Sequence, residues 1–112
     1  MINPLVTQDS LTASADYVEL DLTYTDNVAI QITGTWVGTI TFQGSNDGTN
    51  FVSTVAKEST QVSLAVLVAT TTTNGMFYMG TNLFHPKFLR VKMTSYTSGT
   101  AVVDILTTSI QR

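Results

Sequence analysis

Between residues 28 and 55 the side chains alternate in character with a period of two. Val28, Ile30 and Ile32 face one way and Ala29, Gln31 and Thr33 the other; further on, Ile40 and Phe42 oppose Thr39, Thr41 and Gln43. Strand side chains point alternately to opposite faces, so this pattern predicts strands buried on one side and wet with threonine and glutamine on the other. The glycines at 34 and 38 predict a turn over residues 34–38. Asn46, Asp47, Gly48, Thr49 and Asn50 predict a hairpin, because Asp, Asn and Gly tolerate the backbone of tight turns. Phe51, Ser53 and Val55 then start a return strand.

The same period recurs along the chain. Val18, Leu20, Leu22 and Tyr24 alternate with Glu19, Asp21 and Thr23, and residues 62–70 are apolar on both faces, as in a central or covered strand. Residues 76–79 form a short strand that is bulky on both sides. Phe88, Arg90 and Lys92 alternate with Leu89, Val91 and Met93, and residues 95–99 predict a turn into a last strand over 101–107. There Asp104 falls on a wet or partner-facing side. No segment carries a helical period, and the reading is all-β: an antiparallel β-sandwich, jelly-roll-like, of about eight short strands. Its core is expected to hold Val18, Leu20, Leu22, Ile30, Ile32, Ile40, Phe42, Leu89, Val91 and Met93.

A chain of 112 residues makes one such domain. We read residues 17–112 as the sandwich and residues 1–16 as an extended N-terminal arm, with Ile2, Leu5, Val6 and Leu11 as spaced apolar anchors for a neighbouring surface. No cysteine is present, so stability must come from packing or from other subunits. The N-terminal residues lack a signal-peptide pattern, and the longest apolar run is far too short to cross a bilayer, so no membrane partner is expected. Only 12% of residues are charged while 21 are threonine, a neutral surface that can pack on protein without desolvating charge. Residues 1–56 carry six acids and no base, and residues 57–112 carry five bases and two acids, minus six against plus three. That asymmetry evens out if the two halves interleave in one sandwich.

Candidate chemistry is sparse. His85 is the sole histidine and has no cysteine to share a metal, so no metal site is expected. The turn at 46–50 offers oxygen ligands but lacks the repeated acids of a calcium loop. Glu19 and Asp21 share a strand face, which reads as an acidic stripe before it reads as a glycosidase pair. A net charge of −3 disfavours nucleic acid, with Lys87, Arg90 and Lys92 a small basic patch at most. Trp36, Tyr78, Phe84 and Tyr96 are aromatic residues in or near loops that could stack on a sugar, although capping the core is the plainer role for Trp36. No catalytic residue and no cofactor is expected.

Two stretches carry a likeness. Residues 32–51, with Gly34, Thr35 and Trp36 before an apolar strand, then Gly44, Ser45, Asp47 and Gly48, together with residues 88–105, where Arg90 and Val91 precede Thr97, Ser98, Gly99 and Thr100, resemble small β-sandwich modules of tailed-bacteriophage virion proteins. The same elements are similar to discoidin-type carbohydrate-binding jelly rolls. The first likeness implies a non-enzymatic virion structural protein: a capsid decoration or cement protein, or else a head-fibre or tail component, assembled in the host cytoplasm. It implies as partners other virion proteins such as the major capsid protein, while the two-sided apolar strand predicts contact with copies of itself, a trimer or part of a larger shell being favoured. The second implies a carbohydrate-binding module, with a glycan as the alternative partner. The two-sided apolar strand and the arm make Ile2, Leu5, Val6, Met76, Phe77, Tyr78, Met79, Leu83 and Phe84 the candidate interface.

Overall fold

The computed structural model describes residues 2–23, 25, 27–58, 67–80 and 86–110. Among them there is no helix and there are nine strands: β1 (Ile2–Leu11), β2 (Tyr17–Asp21), β3 (Asn27–Ser45), β4 (Val52–Ser53), β5 (Ala56–Glu58), β6 (Leu67–Val68), β7 (Thr70–Thr71), β8 (Gly75–Gly80) and β9 (Phe88–Ile110). All pairings are antiparallel, as the alternation predicted. The division differs from eight short strands, because β3 and β9 run 19 and 23 residues.

These two strands pair along almost their whole length, from Asn27 opposite Thr108 to Ser45 opposite Phe88. Different neighbours flank the two ends of that ribbon. Beside residues 27–32 and 101–110 lie β8 and β1, with β5 and β6 beyond β8; beside residues 40–44 and 88–92 lie β7, β4 and β2. The ends face each other across one core: the Phe42 ring on the second layer lies 5.1 Å from the Phe77 ring on the first, tilted by 53°. One sheet is thus folded over to make both layers of the sandwich.

The fold line falls where turns were expected, and that expectation is corrected here. Residues 34–38 and 95–99 do not reverse the chain; each strand continues through them. Gly34 and Gly99 adopt φ of +98° and +89°, the left-handed region that costs L-residues energy. A Cβ on Gly34 would strike the Thr100 carbonyl oxygen, and one on Gly99 the Thr35 carbonyl oxygen. Just beyond them, towards the second layer, the register slips twice: Gly38 pairs Tyr96 after Val37 pairs Ser98, and Ile40 pairs Met93 after Thr39 pairs Ser95. Thr97 and Thr94 are the extra residues, and bulges of this type bend a strand and add twist. The Thr94 hydroxyl donates to the Thr39 carbonyl at 3.2 Å, giving one group at the second bulge a partner. Glycine and threonine-serine-glycine therefore serve to bend a ribbon, using the same conformational freedom that would let them reverse one.

Residues 2–11, expected as an extended arm, are extended and pair in the same chain with residues 101–110. The crossing from the first layer to the second is held by Ala15, whose N–H donates to the Met93 carbonyl at 2.8 Å, and by Met93, whose N–H donates to the Asp16 carbonyl at 2.8 Å. The Asp16 carboxylate accepts from the Thr12 N–H at 2.9 Å. Of the strand expected over 62–70, residues 62–66 lie outside the described residues, and its end is divided between β6 and β7. Every core residue expected from sequence is buried except Leu20, which is partly buried against the core; Leu11, Val28, Ala56, Phe77, Met79, Ala101, Val103 and Ile105 join them.

Phe42 is fully buried and bridges the layers. Phe42→Ala is expected to cost roughly 3–5 kcal/mol in chemical denaturation, as for other buried aromatics; an unchanged midpoint would place the ring elsewhere. Gly99→Ala, at an exposed position, is expected to lose at least about 1–2 kcal/mol from the left-handed backbone alone, whereas Ser98→Ala beside it should leave the midpoint nearly unmoved.

Candidate functional site

The outer face of the first layer carries a band of side chains in lateral register. Val6 pairs Leu106, Leu106 pairs Ala29, Ala29 pairs Tyr78, Tyr78 pairs Lys57, and Lys57 pairs Leu67. Paired positions share a face, so these side chains form one row perpendicular to the strands. Val6 is 62% exposed, Leu67 46%, Tyr78 39% and Leu106 38%, which is wasteful for a surface that meets only water. The next row, Gln8, Asp104, Gln31 and Met76, is mostly polar, and the Gln8 amide donates to Asp104 at 2.6 Å. Asp104 thus lies on the outer face, at the border of the apolar row.

The candidate interface residues divide between faces. Tyr78 and Val6 lie in the band, Leu5 is 59% exposed on the adjacent side of β1, and Met76 is half-buried. Phe77 and Met79 alternate with them and enter the core. Ile2 is placed by its pairing with Ile110. Leu83 and Phe84 lie outside the described residues, as does His85. Sequence reasoning missed two exposed members, Leu106 and Leu67; lateral pairing of Leu106 with Val6 and Ala29, and of Leu67 with Lys57, is what gives them meaning.

On the outer face of the second layer the charges are already engaged. The Arg90 guanidinium lies 4.1 Å from the Tyr17 ring centre and 3.8 Å from that of Phe51, and bonds Glu19 at 2.7 Å. This pair joins an acid of the first half of the chain to a base of the second. Lys87 lies 5.2 Å over the Phe88 ring, so two members of the basic patch sit on aromatic faces. Asp21 accepts from the Thr23 N–H at 2.9 Å, and hydrogen bonding by Thr23 lowers its pKa. Glu19 is thus tied to a guanidinium and Asp21 to Thr23, so both acids of the stripe have partners within the fold.

The turn at 46–50 is closed on itself. Asp47 accepts from the Asn50 and Thr49 N–H groups at 2.8 Å each, from the Asn50 side chain at 2.9 Å and from the Ser45 hydroxyl at 2.8 Å. These bonds, those of Asn50 and Thr49 foremost, hold its carboxyl well below the usual carboxylate range. A carboxylate so occupied is a turn clamp. A cleft of about 220 Å³ adjoins it, lined by Gly44, Ser45, Asn46, Asn50, Val52 and Pro86 among others. Of the aromatics considered for sugar stacking, Tyr78 is in the outer band and Phe84 lies outside the described residues; the other two do not line the cleft, for Trp36 donates to Asn74 at 2.7 Å, Asn74 to the Gly34 carbonyl at 2.9 Å, and the Tyr96 hydroxyl to the Gly99 carbonyl at 2.9 Å. They brace the fold line. Among the described residues no group of three or more His, Cys, Asp and Glu side chains is placed to hold a metal.

No protein-family model and no curated protein matches the chain. Solved structures do. The SPBc2 prophage-derived protein YomS superposes with a TM-score of 0.70 at 15% identity, covering 96% of each chain. The PBSX exported protein XepA superposes with a TM-score of 0.70 at 14% identity over 95% of this chain and 38% of that one, so there the fold is part of a longer protein. At these identities the likeness is one of fold.

The Asp47 clamp sets a direction with pH. Its carboxyl is more acidic folded than the ordinary 3.8 of the unfolded chain, so its contribution is complete above that value and is lost as the pH falls through the folded pKa. Asp47→Ala is expected to flatten the acid limb of a stability–pH curve below about pH 4; an acid limb identical to that of the unsubstituted protein would show that the clamp adds nothing.

Proposed function

We propose that the chain is a non-enzymatic structural protein of a bacteriophage particle, most specifically a decoration protein that seats the outer face of its first layer on the capsid surface. The observation that carries this reading is the apolar row of Val6, Leu106, Ala29, Tyr78 and Leu67 on an otherwise threonine-rich, weakly charged sandwich. Lys57, between Tyr78 and Leu67, is the one charge in the row, so most of this surface buries apolar area without stripping water from charge and suits a permanent contact with protein. The virion-like motifs at 32–51 and 88–105 support it, and so does the shared fold with two prophage proteins. The engaged carboxylates and the self-closed turn favour a binding surface over catalysis.

The reading is tested by particle composition. A Leu106→Asp, Tyr78→Asp variant alters two part-exposed positions and should keep the circular dichroism spectrum of the fold. Gradient-purified particles from the producing phage should contain the unsubstituted protein and at least about tenfold less of the variant, the ratio that 1.4 kcal/mol of lost affinity gives. Equal amounts of both would remove the band from the contact, and absence of the unsubstituted protein from particles would overturn the virion role. Binding on a glycan array by both forms would support the carbohydrate-binding alternative instead.

A further inference from the structure

The free edge of the first layer points to a partner of its own. Among the described residues β1 ends the sheet order, and it is a long edge of ten residues. Soluble proteins blunt such edges with lysines, prolines, bulges or short strands, because a row of unsatisfied N–H and C=O groups recruits another strand. β1 has no lysine or arginine, pairs with β9 without a bulge, and exposes Leu5 on one face and Val6 on the other. Its one proline, Pro4, pairs with Thr108. Proline has no N–H to give, so within a sheet it sits with its nitrogen towards the open side. By the period of two, Val6 and Gln8 then turn their N–H and C=O groups to the same open side.

We propose that β1 pairs antiparallel with β1 of a second copy, about a two-fold axis at Val6. In this register Val6 exchanges both backbone bonds with Val6 of the second copy, and Leu5 lies opposite Thr7, Gln8 opposite Pro4 and Asp9 opposite Asn3; the Gln8 N–H donates to the Pro4 carbonyl while the proline returns no bond, so the full exchange is centred on Val6. No two carboxylates meet, and the central positions carry no charge to desolvate. A two-fold axis normal to the sheet keeps both outer faces on one side. The rows that end at Val6 therefore join, Leu106 and Val6 of one copy running into Val6 and Leu106 of the other. The continuous row is an argument for a second copy over an unrelated strand, since only identical strands carry Val6 to Val6. A closed two-fold contact makes the unit a dimer, in place of the trimer favoured from sequence. The inference does not depend on a virion role: mass in solution tests it, and particle composition tests the other.

The chain has no cysteine, so a single introduced thiol reports one contact. Directly bonded antiparallel partners lie about 5.5 Å apart at Cα, within reach of a disulfide. Val6→Cys is expected to form a covalent dimer under mild oxidation much faster than Val52→Cys, a control that is 68% exposed on β4. Sedimentation equilibrium should give the unsubstituted protein twice its 12.1 kDa mass, and Val6→Lys should raise the dissociation constant at least about tenfold while keeping the circular dichroism spectrum. A monomeric unsubstituted protein at submillimolar concentration would overturn the proposal. So would an oligomer that Val6→Lys leaves intact, or one in which the two cysteines cross-link at equal rates.

Discussion

Everything in this molecule hangs on bending one pair of hydrogen-bonded strands without breaking it. A flat ribbon of β3 and β9 would be far too long for a domain of this size and would leave its apolar face in water. Folded at its middle, the same ribbon supplies the inner strands of both layers, and each half needs only short neighbours to complete a sheet. The bend is permitted where Gly34 and Gly99 take positive φ and their missing Cβ atoms let carbonyls of the opposite strand approach. Two bulged threonines absorb the extra path on β9. Trp36 and Tyr96 then seal the fold line, each bonded to a group beside it.

Much of this was legible, and the part that was not has a clear physical cause. The inward faces of β2, β3 and β9 follow directly from the alternation, and nearly all expected core residues are buried. The turns expected at 34–38 and 95–99 were misplaced because glycine and serine-threonine clusters report only local conformational freedom. Whether that freedom reverses a chain or bends it depends on pairing partners far away in sequence. A signal was nevertheless present. The even positions Ile32, Gly34, Trp36, Gly38 and Ile40 keep one parity through the supposed turn, which a reversal has no need to preserve and a continuous strand must. β9 hides the same continuity, since two one-residue bulges cancel and return Leu89, Val91, Met93, Ala101 and Val103 to odd positions on the core side.

The candidate site was less legible, since it exists only across strands. Val6, Ala29, Tyr78 and Leu106 are scattered along the chain, and no spacing rule links them until register sets them side by side. Residues 76–79 were bulky on both sides for a reason that register also supplies: Phe77 and Met79 complete the core while Tyr78 faces outward. Charge resolves as the interleaved reading expects. The halves of the chain differ in sign, but β2 beside β9 puts Glu19 against Arg90 and turns a linear asymmetry into a local pair.

The central claim is that the two layers are halves of one continuous, folded ribbon, and it is tested most directly by nuclear Overhauser contacts in solution. The account predicts backbone contacts between Trp36 and Gly99 at the fold line together with ring contacts between Phe42 and Phe77 across the core. Contacts between Thr33 and Thr39 with none between Trp36 and Gly99 would mean that the chain reverses at 34–38, and would contradict it.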